Sequence, residues 1–350
     1  MAGQPPGRRP RQADIAALAG VSQATVSLVI NNRSGKHHQI TEETRQRVWA
    51  AVEQLGYVAN PAARMLAGGR NGLLGVYTFE SVFPLDSRDF YYPFLLGIEE
   101  EAERHGYDLV LFTSASGPGR ERSIYRDGTS RLRVADGCVL LGRGGDPQEL
   151  GRLVHDPFPK VFIGRRELPG GDVAFVGADY AAATAAIVDH LLELGHQRIG
   201  YLGWDEDLEP TADRRAGYRQ ALDNVGVSID ERLTLRVTEQ DVDAPLLERL
   251  LSLDVTAMIA QDELLGARIT EVLATFGRGV PEDVSVAVLG DPVTGPTGVD
   301  WTSFVIPRRA MGANALRLLT ELLDAEVGAT PQLLLPCGFH QGTTTGPPAP

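Results

Sequence analysis

The chain has 350 residues, which suits two or three domains, and its 43% hydrophobic and 23% charged residues exclude a disordered or fibrous protein. Two cysteines, Cys138 and Cys337, each in apolar surroundings, exclude a disulfide scaffold and read as buried free thiols. The net charge of −13 argues against nucleic acid only as an average: residues 1–70 carry nine bases against four acids, net +5, which leaves −18 on the other 280, so a basic head precedes an acidic body.

The opening MAGQPPGRRPRQ lacks the apolar core of a leader peptide, and no run of about 18 apolar residues occurs, so a cytoplasmic protein with no membrane partner is expected. Residues 1–10, rich in Pro, Gly and Arg, are expected to be a disordered basic tail. In residues 12–32, QADIAALAGVSQATVSLVINN, two short helical patterns meet at Gly20. Ile15 and Leu18 share a face of the first among alanines that permit close approach, and the glycine supplies the left-handed residue that ends a helix. Ser22 suits the N-cap of the second, whose stripe of Val26, Val29 and Ile30 leaves Gln23, Ala24, Ser27 and Leu28 pointing outward. Such a helix, pinned by one narrow stripe with small and hydrogen-bonding residues on its free face, fits a major groove, so double-stranded DNA is the expected partner.

The polar loop NNRSGKHHQ leads to a third helix capped by Thr41, with Glu42 and Glu43 in its first turn and Val48, Ala51, Val52 and Leu55 as its stripe, closed by Gly56. Residues 11–59 therefore read as a helix-turn-helix headpiece. NPAARMLAG, residues 60–68, has Asn60 as cap and Pro61 at the first helical position, yet is too short to hold as a helix alone in water. Residues 60–72 are expected to be a hinge helix and linker that fold only against a partner, with Met65 and Leu66 unsupported by the headpiece.

From residue 73 the texture changes. LLGVYTF, YDLVLF, GCVLL, KVFIG, RIGYLG, VTAMIA and VSVAVLG are apolar runs of strand length, too continuous for one-sided antiparallel strands, and helical stretches such as PFLLGIEEEAERHG and YAAATAAIVDHLLELGH lie between them. The predicted fold class is α/β: an N-terminal all-α headpiece plus a two-lobed body of parallel sheets flanked by helices. Pro/Gly-rich interruptions at 164–172 and 291–300 divide the body, residues 73–346, into an N-lobe at about 73–172 and 307–328 and a C-lobe at about 173–306 and 329–346. Ligands of open α/β sheets sit at the carboxyl ends of the strands, so two such edges facing each other make a cleft.

Headpiece, hinge and two-lobed body in this order, with DIAALAGVSQATVSLVINN, ITEETRQRVWAAVEQLGYVANPAARMLAGGRNGLLGV, LLGIEEEAERHGYDLVL, AAATAAIVDHLLELGHQRIGYLG, RRAGYRQALDNVGV and VPEDVSVAVLGD in register, resemble the lac/galactose repressor family of bacterial transcription factors over residues 11 to about 346. The resemblance implies a homodimer on a pseudo-palindromic operator, with Gln23, Ala24 and Leu28 reading bases and Ser22, Thr25 and Ser27 facing backbone or base edges. Asn31 and Arg64 would touch phosphate or minor-groove edges, and Leu66 would enter the minor groove at the operator centre, where unstacking a base step gains a bent duplex with more contact. Leu28 stands where many relatives carry an arginine, so its contact is expected to be apolar, to a thymine methyl. Arg11 and Gln12 replace the usual threonine cap and apolar residue, so the first helix is expected to begin loosely.

The body also resembles periplasmic sugar-binding proteins, which implies a small-molecule effector, most often a carbohydrate, between the lobes. By position its candidate contacts are Asp89, Phe90 and Tyr91, then Arg165, Trp204, Arg214, Gln261, Asp262 and Asp291, with Trp301 as a further aromatic. SVFPLDSRDFYYPF is longer than the family's usual loop, QDELLG is one residue shorter than the usual pattern, and GDP replaces a pair of acids.

An enzyme is not expected. GRGG at 142–145 lacks the spacing of a dinucleotide loop, no GxxxxGK[ST] or G-x-S-x-G occurs, and adjacent His37 and His38 have no cysteine or patterned acid beside them, so neither cofactor nor metal is implied. The other reading is a small-molecule (sugar) binding protein without a DNA role, against which the basic head argues. The terminal GTTTGPPAP lacks the heptad leucines of a tetramerising coiled coil, so a dimer is expected.

Overall fold

The computed structural model describes residues 10–30, 40–57, 70–80, 88–113, 122–291, 298–324 and 330–349. The chain divides into two compact units, residues up to Leu73 and residues from Leu74 onward.

The first unit holds α1 (Gln12–Ala19), α2 (Gln23–Ile30) and α3 (Glu42–Leu55) around a core in which Ile15, Val26, Val29 and Val48 are buried. Gly20 and Gly56 adopt left-handed φ of 65° and 57° where α1 and α3 end. Thr41 Oγ1 accepts the Thr44 N–H and caps α3. Two expectations fail in α1. Leu18 is 46% exposed, and Ala16 and Ala19 share the buried face with Ile15 instead, since small side chains let the neighbouring helices approach. The start of α1 is also held rather than loose: the Asp14 carboxylate accepts the Arg11 N–H at 2.7 Å, which is the half of a capping box that does not need a threonine.

The second unit begins with β1 (Leu73–Thr78), α4 (Arg88–His105) and β2 (Asp108–Phe112). A hairpin of β3 (Tyr125–Arg126) and β4 (Thr129–Ser130) precedes β5 (Gly137–Leu141), α5 (Pro147–His155), β6 (Lys160–Ile163) and β7 (Phe175–Ala178). Then α6 (Tyr180–Glu193), β8 (Ile199–Trp204), α7 (Glu209–Asn224), β9 (Thr234–Val237) and α8 (Ala244–Ser252) alternate. They lead to β10 (Ala257–Ala260), α9 (Glu263–Thr275), β11 (Ser285–Val288) and β12 (Ser303–Val305). The chain closes with α10 (Arg308–Asp324), β13 (Gln332–Leu335) and β14 (Gly338–His340).

One sheet runs β13-β7-β6-β5-β1-β2 and another β11-β10-β8-β9. In the first, β1, β5, β6, β7 and β13 pair parallel, and the second is parallel throughout. Alternation explains why these strands read as unbroken apolar runs. Val139 and Leu141 of β5 join one core with Leu74, Val76 and Val161, while Cys138 and Leu140 join another with Phe162 and Phe175, so both faces are covered. Helices α4 and α10 touch through paired glycines: a Cβ on Gly97 would lie 2.0 Å from the Arg309 carbonyl oxygen, and one on Gly312 would lie 2.1 Å from that of Phe94.

The lobe boundaries differ from those expected. Strands β7 and β13, assigned by sequence to the C-lobe, both pair within the first sheet, with Phe175–Ala178 beside Gln332–Leu335. The Pro/Gly-rich stretch at 164–172 joins β6 to β7 inside one sheet, and the chain passes to the second sheet only where Asp179 caps α6. FVGA, which ends on two small residues, and QLLL, with three apolar positions, did not stand out as runs.

Candidate functional site

Two surfaces carry the candidate residues, one on each unit. On the headpiece, Ser22 Oγ accepts the Thr25 N–H at 3.0 Å and lies 2.8 Å from Thr25 Oγ1, so this hydroxyl caps α2. Gln23 and Ala24 are exposed, Thr25, Ser27 and Leu28 are half-buried, and Val26 and Val29 anchor the opposite face. Asn31, Arg64 and Leu66, like the whole hinge helix, lie outside the described residues.

On the body, segments at the carboxyl ends of both sheets border a cavity of about 650 Å³. The first sheet contributes Glu80 after β1, Arg143 after β5 and Arg165 after β6; the second contributes Trp204 at the end of β8, Asp262 after β10 and Asp291 after β11.

The polar groups are held by one another before any ligand arrives. Gln261 is nearly buried: its Oε1 accepts from the Tyr201 hydroxyl at 3.0 Å, and its Nε2 donates to Thr211 Oγ1 at 3.1 Å. Burial pushes the Tyr201 hydroxyl up to about 12, so it stays protonated as the donor. Trp204 donates its indole N–H to Asp262 Oδ2 at 2.6 Å, while Asp262 Oδ1 accepts the Leu265 N–H and caps α9. The indole plane is thereby fixed as a wall of the cavity, as a carbohydrate's C–H face requires.

Two buried guanidiniums line the same space. Arg214 on α7 is 9% exposed and stacks 4.1 Å from the centroid of the Tyr180 ring; its Nη1 donates to the Pro210 carbonyl and its Nε has no partner. Arg308, the first residue of α10, lies 5.1 Å from the Phe90 ring centroid and pairs with Asp291 at 2.9 Å. The other Asp291 oxygen accepts the Ile306 N–H at 2.6 Å. Burial pushes the Asp291 carboxyl above its ordinary range, with the Arg308 charge pulling the other way.

Ion pairs join the rims of the two lobes. Arg165 donates Nε and Nη2 to the two oxygens of Asp213 on α7, at 2.9 and 2.7 Å, and also pairs with Glu167. Arg143 lies 3.6 Å from Glu206, and Arg166 lies 3.7 Å from Glu209, whose other oxygen accepts the Glu167 N–H. Burial lowers the Arg166 pKa, and Glu209 and Glu80 oppose that. Glu80 accepts the Arg143 N–H at 2.9 Å and hydrogen-bonds Tyr91, whose hydroxyl burial and then the Glu80 charge push well above its ordinary value.

Of the expected effector residues, Phe90, Tyr91, Arg165, Trp204, Arg214, Gln261, Asp262 and Asp291 border this cavity. The side chain of Asp89 lies outside the described residues. Trp301 does not reach the cavity: it is 2% exposed and packs in the core of the second sheet near Gly266, because β12 turns it inward. Sequence reasoning passed over Arg166, Tyr180, Thr211 and Arg308. Arg166 adjoins Arg165, and Thr211 sits one turn before Arg214, so both were reachable from their neighbours. Nothing in the pattern around Arg308 marked it.

The lining of this cavity carries aromatic faces, fixed hydrogen-bonders and paired charges of both signs, which suits a polyhydroxylated ligand. Among the described residues, no group of three or more His, Cys, Asp and Glu is placed to hold a metal ion.

Known proteins are similar to this chain in sequence and fold. The sequence model of the family described as "Bacterial regulatory proteins, lacI family" matches residues 13–60, and that of the "Periplasmic binding protein-like domain" matches residues 188–345. The chain is 32% identical over 333 residues to the HTH-type transcriptional regulator CelR of Thermobifida fusca, covering 94% of this chain and 96% of CelR. A solved structure described as a transcriptional regulator CelR–cellobiose complex is similar with a TM-score of 0.61 at 29% identity, covering 96% of this chain and all of that one. The lac repressor dimer bound to operator and the anti-inducer ONPF shares the fold with a TM-score of 0.66 at 21% identity, over 97% of this chain and 100% of the repressor chain.

Proposed function

The chain belongs to the lacI family of bacterial regulatory proteins, and from that premise we propose that it works in the cytoplasm as a homodimeric repressor of transcription, released or engaged by a neutral carbohydrate in the body's cleft. The observation that carries the carbohydrate reading is the cavity itself. Its volume of about 650 Å³ falls in the range of about 300–1,000 Å³ typical of small-molecule sites and leaves room for more than one sugar ring. Trp204 offers an apolar face held in plane, the Gln261–Thr211–Tyr201 chain offers planar hydrogen-bonders, and Arg214 offers a guanidinium stacked on Tyr180.

Charge supports an uncharged effector. Arg143, Arg166 and Arg308 each have a carboxylate in Glu206, Glu209 and Asp291, and Arg165 has one in Asp213. A phosphorylated sugar would bring a net negative charge into a lining where most guanidiniums are already balanced. CelR, the relative with a sugar in its solved complex, holds cellobiose.

On the headpiece, the proposed base readers are Gln23, Ala24 and Leu28, with Ser22, Thr25 and Ser27 toward backbone or base edges; the exposure of Gln23 and Ala24 and the half-exposure of Leu28 support this. Asn31, Arg64 and Leu66 complete the proposed contact set from the segments that follow.

The test couples both surfaces. Duplexes from the chain's own upstream region are titrated with the full protein by fluorescence anisotropy, with and without cellobiose, maltose, lactose and their phosphorylated counterparts. The expected result is salt-dependent binding of one inverted repeat, altered tenfold or more by a neutral saccharide and not by its phosphate. Binding that ignores every saccharide would remove the carbohydrate half of the reading, and no preference for an inverted repeat would remove the operator half.

A further inference from the structure

Arg308 is out of place by the ordinary rules. A guanidinium at the first position of a helix faces the positive end of the helix dipole, where acids are favoured, and Arg308 is also 8% exposed, where a charge needs strong compensation. Asp291 supplies a counter-charge at 2.9 Å on Nη1, and the Phe90 ring backs one face. The Nε–H edge remains buried without a hydrogen-bond partner, and Arg308 borders the effector cavity. A fixed, planar, aromatic-backed cation at a cavity wall is selective toward a ligand oxygen placed to meet its N–H groups.

Arg214 repeats the arrangement. It too is stacked on an aromatic ring, 91% buried and unfilled at Nε. The difference lies in what fixes each one. Arg214 has no carboxylate within ion-pair distance among the described residues, and its Nη1 is on a backbone carbonyl. Arg308 is oriented by Asp291, whose second oxygen is in turn fixed by the Ile306 N–H. Asp291 thus spends an oxygen on holding Arg308 still, and the part of the guanidinium that borders the cavity is the group left to meet the ligand.

We propose that Arg308 is a specificity-determining residue of the effector cleft, donating a guanidinium N–H to one hydroxyl or ring oxygen of a neutral di- or oligosaccharide, with Asp291 and Phe90 as its positioning residues. This rests on the carbohydrate reading of the cleft and adds to it the donor that separates one sugar from its epimers. A site built to hydrogen-bond a given oxygen rejects the analogue that lacks it, because the buried donor is then left unfilled.

The experiment uses the full chain as wild type, Arg308→Lys and Arg308→Gln, titrated by calorimetry with cellobiose, maltose, lactose and the mono-deoxy derivatives of whichever binds best. Arg308→Lys keeps the charge beside Asp291 and loses the planar guanidinium, so it separates recognition from simple loss of an ion pair. The expected result is a tenfold or greater rise in Kd for the preferred sugar in both variants and a compressed ranking across the panel. One mono-deoxy derivative should bind wild type and Arg308→Lys alike, since it lacks the oxygen that Arg308 meets. Equal loss against every derivative, or unchanged Kd and ranking in both variants, would overturn the role given to Arg308 while leaving the cleft a sugar site. Wild type that binds no member of the panel would overturn the cleft reading as well.

Discussion

Arg165 and Asp213 form a two-pronged ion pair, Nε to Oδ2 at 2.9 Å and Nη2 to Oδ1 at 2.7 Å, between the loop after β6 of the first sheet and helix α7 beside the second. The hydrogen bonds to Asp213 are the main reason the Arg165 guanidinium holds its proton more tightly than usual. With side chains 23% and 20% exposed, the pair is neither fully wet nor fully dry. Asp213→Asn leaves Arg165 with Glu167 on a single nitrogen and removes the strongest link across the rim. Its loss should cost the lobe-closed form about 1–2 kcal/mol, between the values for exposed and buried pairs. Effector Kd should then rise roughly 5–30-fold, and the radius of gyration by small-angle scattering should increase. A variant with unchanged Kd and radius would show that this pair does not hold the lobes together.

Trp204 should report the ligand directly. It is one of three tryptophans, and the other two are placed elsewhere: Trp49 is 47% exposed on α3 of the headpiece, and Trp301 is buried in the core behind α9. Saccharide binding should change the emission of the wild-type protein, and Trp204→Phe should abolish that change while calorimetry still detects weaker binding. Phenylalanine keeps a smaller aromatic face and loses the donor to Asp262, so an affinity loss of about 1–3 kcal/mol is expected. A full emission change in Trp204→Phe would move the ligand away from this wall.

The elements that could be read in advance are those whose side chains carry their own periodicity. The stripe of Val48, Ala51, Val52 and Leu55 gave α3, and continuous apolar runs gave the central strands because both sheet faces are covered. Strands β7, β9 and β13 escaped notice because FVGA ends on two small residues, TLRV is broken by an arginine and QLLL has only three apolar positions, and missing β7 and β13 displaced the lobe boundary. The cleft was legible where its residues end strands, as with Trp204, Gln261 and Asp291. Tyr180 and Arg308 open helices, and their roles depend on partners 34 and 218 residues away in Arg214 and Phe90, which no local window contains. Trp301 failed for the opposite reason: a residue beside a strand can face either side, and the core claimed it.

Leu28 sets an expectation for the DNA. With an apolar, half-buried side chain at this position of α2, the matching contact is a thymine methyl in the major groove. Leu28→Arg should shift preference at that operator position from T·A to G·C, with discrimination of about 1–3 kcal/mol at fixed salt. Gel shifts on duplexes substituted at each position of a half-site would locate the changed base pair. If Leu28→Arg weakens or strengthens binding to all substituted duplexes equally, the side chain touches backbone and not a base.

His196 gives the body a pH limit whose direction can be worked out. It is 1% exposed; Nδ1 lies 2.8 Å from Thr256 Oγ1, and Nε2 lies 2.8 Å from the Gly346 carbonyl oxygen and 3.1 Å from Ser285 Oγ, so the ring ties the carboxyl-terminal segment to the second sheet. Burial holds its pKa below the ordinary 6.5 in the folded protein, so the ring folds neutral, with Nε2–H donating to the carbonyl. Well above pH 6.5 neither the folded nor the unfolded ring binds a proton, and the full stability is present. As pH falls below that value the unfolded chain takes up a proton that the folded chain refuses, and stability declines until pH reaches the lower folded pKa. His190, also lowered by burial, acts in the same sense, so the comparison that isolates His196 is the variant His196→Gln. Wild type should lose several degrees of Tm between pH 7.5 and 5.5. His196→Gln should start lower, by about 1–3 kcal/mol for the disturbed buried hydrogen bonds, and fall less steeply over the same interval. Parallel Tm curves for the two proteins would mean that the acid sensitivity of the body resides in other groups.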